Sequence, residues 1–92
     1  MAKILIIAAE PAGARACLAA AGFEVVVAGN SDQGLNMMMQ SPADLVILDQ
    51  DSVEPNKLEL VCFLLRGHWK VPIIVLGEDE ELLPRVCDLL PQ

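Results

Sequence analysis

One uninterrupted apolar run, residues 43–49, constrains the fold more than any other stretch of the chain. Its sequence, ADLVILD, has the length of a strand, and its Leu, Val and Ile residues follow one another without polar alternation. Such a run is typical of a strand buried on both faces, as at the centre of a parallel α/β sheet. Ligands of open α/β sheets bind outside the carboxyl ends of the strands. Asp49, which closes the run, is therefore the first candidate functional residue.

Helices and further strands are predicted to alternate around this central strand. The strands are expected at residues 3–9, 23–28 and 71–76, and the helices at 11–21, 31–40, 57–66 and 83–90. The second strand, 23–28, is expected nearer the edge of the sheet. Ser31 and Asn56 are the expected N-caps of the second and third helices, and Gly22 and Gly67 are expected to end the first and third. The predicted order is βαβαβαβα, within a single domain covering residues 1–92.

The helical periodicity predicts which side chains face the core. In the second helix Leu35, Met38 and Met39 are expected to be buried and Met37 to face outward. In the third helix a stripe of four residues is expected to be buried, widened by three more: Leu58, Val61, Cys62 and Leu65, then Leu60, Phe63 and Leu64. His68 and Trp69 are expected in the loop that follows, with Trp69 covering a sheet edge.

The three cysteines, Cys17, Cys62 and Cys87, are widely spaced and form no CxxC pair. Neither a disulfide framework nor a zinc site is indicated, and buried thiols are expected. The acidic run at residues 78–81 is predicted to be a solvated helix start or a charged loop, not a metal cluster.

Composition limits the partners and the compartment. A formal net charge of −7 argues against nucleic acid and anionic membranes, because both need a basic face. The apolar fraction of 54 % is high for so small a chain, so we expect a partner to cover part of the apolar surface. No segment approaches the roughly 20 apolar residues of a spanning helix, and no cleavable signal pattern is present. The chain is therefore expected to be cytoplasmic.

Several segments, in order and with consistent spacing, resemble the response-regulator receiver domain of two-component signalling. They are KILII followed by Glu10-Pro11, GFEVVVA at 22–28, SPADLVILD at 41–49, LELVCFLLR at 58–66 and VPIIVL at 71–76. The resemblance implies a flavodoxin-like (CheY-like) open parallel sheet with strand order 2-1-3-4 and helices on both faces. It also implies that Asp49 occupies the phosphoacceptor position, modified by a histidine kinase in a phosphorelay.

Most of the residues that accompany this chemistry in receivers are missing. Ala8 and Ala9 stand at the acidic pair that holds Mg²⁺ in the family, and Gly77 replaces a Ser or Thr. Val53 and Lys57 replace the usual Pro and Gly of the loop after Asp49. No clear fifth strand or last helix follows, and the family's Lys goes with that strand. The resemblance is therefore to a degenerate, or pseudo-receiver, domain.

The sequence also predicts a weak magnesium site at the phosphoacceptor position. Glu10, Asp49 and Asp51 could supply oxygen ligands, but Mg²⁺ prefers near-octahedral geometry with well-placed carboxylates. No cofactor is otherwise implied. Asp49 also has a purely structural interpretation, because an Asp that closes a strand often accepts hydrogen bonds from turn amides.

The shortened sheet predicts self-association. Without a fifth strand, the strand that begins with Val71 and ends with Leu76 would be an exposed edge, and such edges pair readily. A homodimer through this edge or through the C-terminal segment would cover it.

Three functions remain open from the sequence. The preferred hypothesis is a pseudo-receiver that acts as a protein-interaction or dimerisation module, with phosphorylation lost and no enzymatic activity. The first alternative is an active receiver phosphorylated at Asp49. The second is an unrelated small enzyme on the same frame, for which no phosphate-binding loop, nucleophile elbow or Cys/His pair is found.

Overall fold

The computed structural model describes residues 2–9, 12–49 and 55–76. Their elements alternate in chain order: β1 (Lys3–Ile7), α1 (Ala12–Ala20), β2 (Glu24–Ala28), α2 (Ser31–Gln40), β3 (Leu45–Asp49), α3 (Pro55–Leu64), a π-helical turn (Leu65–Trp69) and β4 (Ile73–Leu76). The predicted alternation of strands and helices is confirmed through β4. The predicted helix at 83–90 and Cys87 lie outside the described residues.

The four strands form one parallel sheet in the order β2-β1-β3-β4. Ile4 is in register with Val25 of β2 and with Leu45 of β3, and Val46 is in register with Ile73 of β4. This is the open α/β sheet with strand order 2-1-3-4 that was predicted, and it is consistent with a flavodoxin-like fold. Among the described strands β2 lies at one edge, as its partial alternation predicted.

Both faces of the sheet are covered, and β1 after Lys3 and β3 before Asp49 are apolar and buried at every position. Alternate residues point to opposite sides, so that Leu5 and Leu48 join one core cluster while Ile4 and Ile47 join the other. The first cluster packs against α2 and α3, and the second against α1 through Leu18. All five of these side chains are almost completely buried.

The α1 helix ends as predicted, at a glycine. Gly22 has a φ of +97°, a conformation that glycine adopts without steric cost. The Phe23 amide then donates to the Leu18 carbonyl oxygen at 3.2 Å, which satisfies one of the last carbonyls of the helix.

The α2 helix begins differently from the prediction. Its N-cap is Asn30, whose Oδ1 accepts a hydrogen bond from the Gln33 amide at 2.8 Å. Ser31 is instead the first helical residue and is buried. An Asn side chain at the cap reaches the amide three residues later, so the chain gains its cap one residue earlier than the Ser31 prediction.

The methionines of α2 are also arranged differently. Met38 is buried, and its Sδ accepts a hydrogen bond from the Ala43 amide at 3.2 Å. Met37 packs against the core, whereas Met39 is 72 % exposed, so the predicted directions of Met37 and Met39 are wrong. The position of the helix is fixed by Gly34, which faces Ile7, and this turns Met39 away from the sheet.

The third helix starts earlier and runs further than predicted. It begins at Pro55, a residue whose fixed φ suits the first turn, so Asn56 lies inside the helix and is not its N-cap. It does not end at Gly67 but continues as the π-helical turn to Trp69. Lys70 ends it in the left-handed conformation, with φ +57°.

The described residues contain no helix that is long and apolar enough to cross a membrane.

Candidate functional site

Asp49 lies where the sequence predicted, at the last position of β3, in register with Leu76 of β4. It is half-buried and makes a contact within the protein. Its position at the carboxyl end of the most buried strand is therefore confirmed. Glu10, Asp51, Val53 and Gly77, which the sequence placed near it, lie outside the described residues.

The two alanines that follow β1 supply no oxygen ligand from their side chains. Ala8 is buried, and its amide donates to the Ala28 carbonyl oxygen at 3.0 Å, whereas Ala9 is exposed. Within the described ranges, no three His, Cys, Asp or Glu residues lie close enough to hold a metal ion. The magnesium set of Glu10, Asp49 and Asp51 stays a prediction, because only Asp49 of the three is described.

Lys57 lies in α3 and connects two helices. Its Nζ is 3.7 Å from Asp32 Oδ2 of α2, and both side chains are well exposed. This arrangement orients α3 against α2 on one face of the sheet.

The two described thiols differ in burial. Cys62 is half-buried against the core, as predicted, but Cys17 is exposed on α1. The prediction of a buried Cys17 is wrong because α1 is almost entirely alanine, and it is Leu18 that the helix turns toward the sheet.

The amino ends of β1 and β3 are joined by a small polar network. The Lys3 amide donates to Asp44 Oδ2 at 2.8 Å, and Lys3 Nζ donates to the Ser41 carbonyl oxygen at 3.0 Å and to Ser41 Oγ at 2.7 Å. An ammonium group at the end of α2 is favourable because the helix dipole is negative there. Lys3 also borders a small cavity of about 110 Å³ between the sheet and α2.

The π-helical turn and its C-cap, Lys70, carry three exposed basic residues. Leu65 is buried and Trp69 packs against the core, so these two residues anchor the turn. Arg66, His68 and Lys70 alternate with them and are exposed. π-Helical insertions occur frequently at functional sites, which makes this turn the second candidate.

The geometry of the turn is fixed by its backbone and by an aromatic contact. The amides of Lys70 and Val71 both donate to the Leu65 carbonyl oxygen, the latter at 3.2 Å. The His68 and Trp69 rings meet edge to face, with centroids 4.8 Å apart and planes at 88°. The His68 imidazole therefore rests on a partly buried indole, which limits its freedom.

An exposed apolar face of α3 adjoins the basic turn. Phe63 is 71 % exposed and Leu60 is 56 % exposed, so the prediction that both widen the buried stripe is wrong. Leu58, Val61, Cys62 and Leu65 of that stripe do pack on the core. The helix is apolar on nearly every side, and the sheet can cover only one of them.

Phe63 also borders an open groove that reaches the turn. The groove has a volume of about 430 Å³ and is lined by Glu59, Cys62, Phe63, Arg66 and Gly67. We call the surface formed by Phe63, Arg66 and Lys70 the basic-aromatic surface.

The acidic charge of the chain is not spread evenly. The described ranges hold five Lys and Arg residues and five Asp and Glu residues, so they are balanced. The other eight acids, with one arginine, lie at sequence positions outside those ranges. The net charge of −7 therefore comes from residues outside the described ranges.

Sequence reasoning missed the basic turn because it ended the third helix at Gly67 and placed His68 in a loop. One signal in the sequence could have found it. No acidic residue occurs between Glu59 and Glu78, and within that interval Arg66, His68 and Lys70 follow at every second position.

The chain with this open parallel α/β sheet matches no family model. A curated relative from Picosynechococcus sp. is 39 % identical over 75 residues and is named a probable transcriptional regulatory protein. The match covers 74 % of this chain, and the chain spans about 30 % of the length of that relative.

These findings correct the identification as a response-regulator receiver. The relative is named a transcriptional regulatory protein and not a receiver, and this overturns both the pseudo-receiver function and the phosphorylated alternative, together with the two-component and phosphorelay assignments. The resemblance rests mainly on apolar runs and their spacing, which the architecture of a 2-1-3-4 sheet itself requires. A shared fold does not specify a function.

The prediction of partners is corrected as well. Excluding nucleic acid conflicts with the name of the relative, and the exclusion relied on a net charge averaged over the whole chain. The prediction of a homodimer is withdrawn together with the receiver assignment, because it depended on the missing fifth strand of a receiver. That homodimer was expected to form through the strand from Val71 to Leu76 or through the C-terminal segment.

Proposed function

We propose that this chain is a non-enzymatic α/β module of a transcriptional regulatory protein and acts in the cytoplasm. The observation that carries the proposal is the 39 % identity, over 74 % of this chain, to a probable transcriptional regulatory protein. The chain corresponds to less than a third of that relative, so the proposal concerns what one module contributes to regulation.

The charge distribution supports a role near nucleic acid. The described residues include equal numbers of Lys and Arg and of Asp and Glu, and two of the five basic residues, Arg66 and Lys70, lie at one exposed turn. A protein whose overall charge is negative can still approach phosphates through a local basic surface, since exposed charges beyond about 10 Å are largely screened at physiological salt. The negative net charge of the chain is therefore compatible with binding to nucleic acid.

The experiment that tests the proposal compares transcripts. The coding sequence is deleted in its host, transcripts are sequenced, and the strain is complemented with the unaltered chain or with Gly34→Val. Gly34 faces Ile7 so closely that a Cβ there would meet Ile7 Cδ1 at 2.5 Å, so Gly34→Val should prevent folding. We expect a defined set of transcripts to change, to be restored by the unaltered chain and not by Gly34→Val.

A matched complementation control is Gln40→Ala, which alters an exposed side chain at the end of α2 and should restore the transcripts fully. An unchanged set of transcripts after deletion would refute the proposed function.

A further inference from the structure

We infer that the basic-aromatic surface binds single-stranded nucleic acid, with phosphates on Arg66 and Lys70 and a base stacked on Phe63; this inference rests on the proposed function. Proteins that bind single strands combine cationic side chains along the backbone with exposed aromatic rings on which bases stack. Both components lie next to each other here, on α3 and the π-helical turn that continues it.

The cations of this surface are available for a ligand. In the parts of the chain that the structure describes, no carboxylate forms a salt bridge with Arg66 or Lys70. The other cations of the sheet and of the α2–α3 face are engaged, since Lys3 Nζ bonds to Ser41 and Lys57 Nζ lies 3.7 Å from Asp32. Arg66 and Lys70 therefore present their charge to solvent.

The π-helical turn holds these cations in a fixed arrangement. Leu65 is completely buried and Trp69 packs on the core, so the backbone between them cannot move without disturbing the core. Preorganised side chains lose less freedom on binding than those of a mobile loop. The left-handed conformation of Lys70 belongs to the same arrangement, because the Lys70 amide closes the turn onto the Leu65 carbonyl oxygen.

Phe63 distinguishes a single strand from a duplex. Its ring is 71 % exposed, lies one helical turn before Arg66 and borders the groove of about 430 Å³. Stacked base pairs of a duplex offer no free base face to such a ring, whereas the bases of a single strand do. An exposed Phe beside the cations Arg66 and Lys70 therefore favours a single strand.

The Glu59 carboxylate repels the phosphates of the ligand. Glu59 lines the same groove two helical turns before Arg66, about 10 Å away along the helix axis. Phosphates should therefore lie toward Lys70 and away from Glu59, which sets the direction of the backbone track. Glu59→Gln should tighten binding.

The test measures the fluorescence anisotropy of two labelled twelve-nucleotide probes, oligo(dT) and oligo(U), with the full chain between 50 and 200 mM salt. The two probes distinguish DNA from RNA, which share the phosphates and the bases that this surface would recognise. We expect binding that weakens as salt rises. In the double variant Arg66→Gln, Lys70→Gln the slope of log K against log salt should fall by about 1.4, because each phosphate contact of a single strand contributes about 0.7.

Matched variants separate the contributions of the side chains. Phe63→Leu keeps the apolar character and removes the ring, and should weaken binding about ten-fold at every salt concentration. Arg15→Gln removes an exposed cation from α1, on the opposite face of the sheet, and should leave the affinity unchanged. All of these residues are exposed, and circular dichroism with thermal melting will verify that each variant folds.

Three results would overturn the inference: no binding of either probe at 50 mM salt, an affinity unaltered by the double variant, or equal affinity for a blunt duplex of the same length. If Phe63→Leu left nucleic-acid binding intact, the ring would be assigned to a protein contact and the stacking proposal would fail. Altered transcripts after deletion, with no probe bound, would leave the proposed function standing while removing this site.

Discussion

At the scale of single residues, Gly34 marks the closest approach of α2 to the sheet. A Cβ at this position would meet Ile7 Cδ1 at 2.5 Å and Cγ1 at 2.7 Å, and real Cβ atoms do not approach so closely. Gly34→Ala should therefore destabilise the fold by about 1–3 kcal/mol, the usual cost of overpacking a core. Urea unfolding followed by circular dichroism measures this change.

Gly13→Ala is the control for Gly34→Ala. It lies in α1, and a Cβ there would meet no atom within 4 Å. Since Ala favours a helix over Gly by about 1 kcal/mol, Gly13→Ala should stabilise the protein modestly. If both substitutions shifted stability in the same direction, the close packing of Gly34 would be wrong.

The cap of α2 is a second residue-scale determinant. The Asn30 side chain accepts from the Gln33 amide, and Asn30→Ala leaves that donor without its partner. We expect a loss of about 1 kcal/mol in the free energy of unfolding, while Asn30→Asp should retain most of the stability because Asp also caps well. Thermal melting of the two variants, beside Asn36→Ala on the exposed side of the same helix, will show whether Asn30 or Ser31 is the cap.

At the scale of elements, the π-helical turn ends in a strained backbone conformation at Lys70. Lys70 adopts the left-handed conformation, which costs a non-glycine residue of order 1 kcal/mol. Lys70→Gly should relieve that cost and raise the melting temperature, whereas Lys70→Ala removes the same charge and keeps the strain. Both variants should lose affinity for the single-stranded probes, so stability and binding should separate.

Calorimetry of the two Lys70 variants provides the readout. A lower melting temperature for Lys70→Gly than for Lys70→Ala would contradict the left-handed assignment.

At the scale of the whole molecule, stability is concentrated in the centre of the sheet. Val46 of β3 is completely buried between two strands, while Val25 of the edge strand β2 is only partly covered. Val46→Ala should therefore cost about 2 kcal/mol, from lost burial and the cavity left behind, and Val25→Ala about half as much. Chemical unfolding of both variants tests this, and equal losses would show that β2 is not an edge.

The buried strands of the sheet were the predictable part of the fold. Continuous apolar runs at β1 and β3 indicated buried strands, a further run indicated β4, and the structure confirms these strands. Details that depend on how a helix rotates against the sheet were not predictable. Met37 faces the core and Met39 the solvent, opposite to the prediction, because Gly34 decides which side of α2 faces Ile7. Asn30 and not Ser31 is the N-cap, because the backbone geometry determines which side chain reaches the free amide.

The candidate sites show the same limit. The place of Asp49 followed from one apolar run, because a strand end is a local property of the sequence. The basic-aromatic surface did not, since Arg66 and Lys70 gain their positions only when α3 continues past Gly67 and packs Leu65 and Trp69 inward. The receiver assignment failed for a related reason, because the spacing of strands reports architecture and carries no chemistry of its own.

The sequence by itself determined alternating strands and helices of a parallel α/β sheet, since apolar runs of strand length are separated by helical segments; the order 2-1-3-4 was implied by the resemblance to receivers and is confirmed. Only the tertiary structure decided which side chains remain on the surface. Leu60 and Phe63 are as apolar as their buried neighbours, and they are exposed because one sheet face can cover only one side of α3. Arg66 and Lys70 stay exposed because the turn between them is anchored by Leu65 and Trp69.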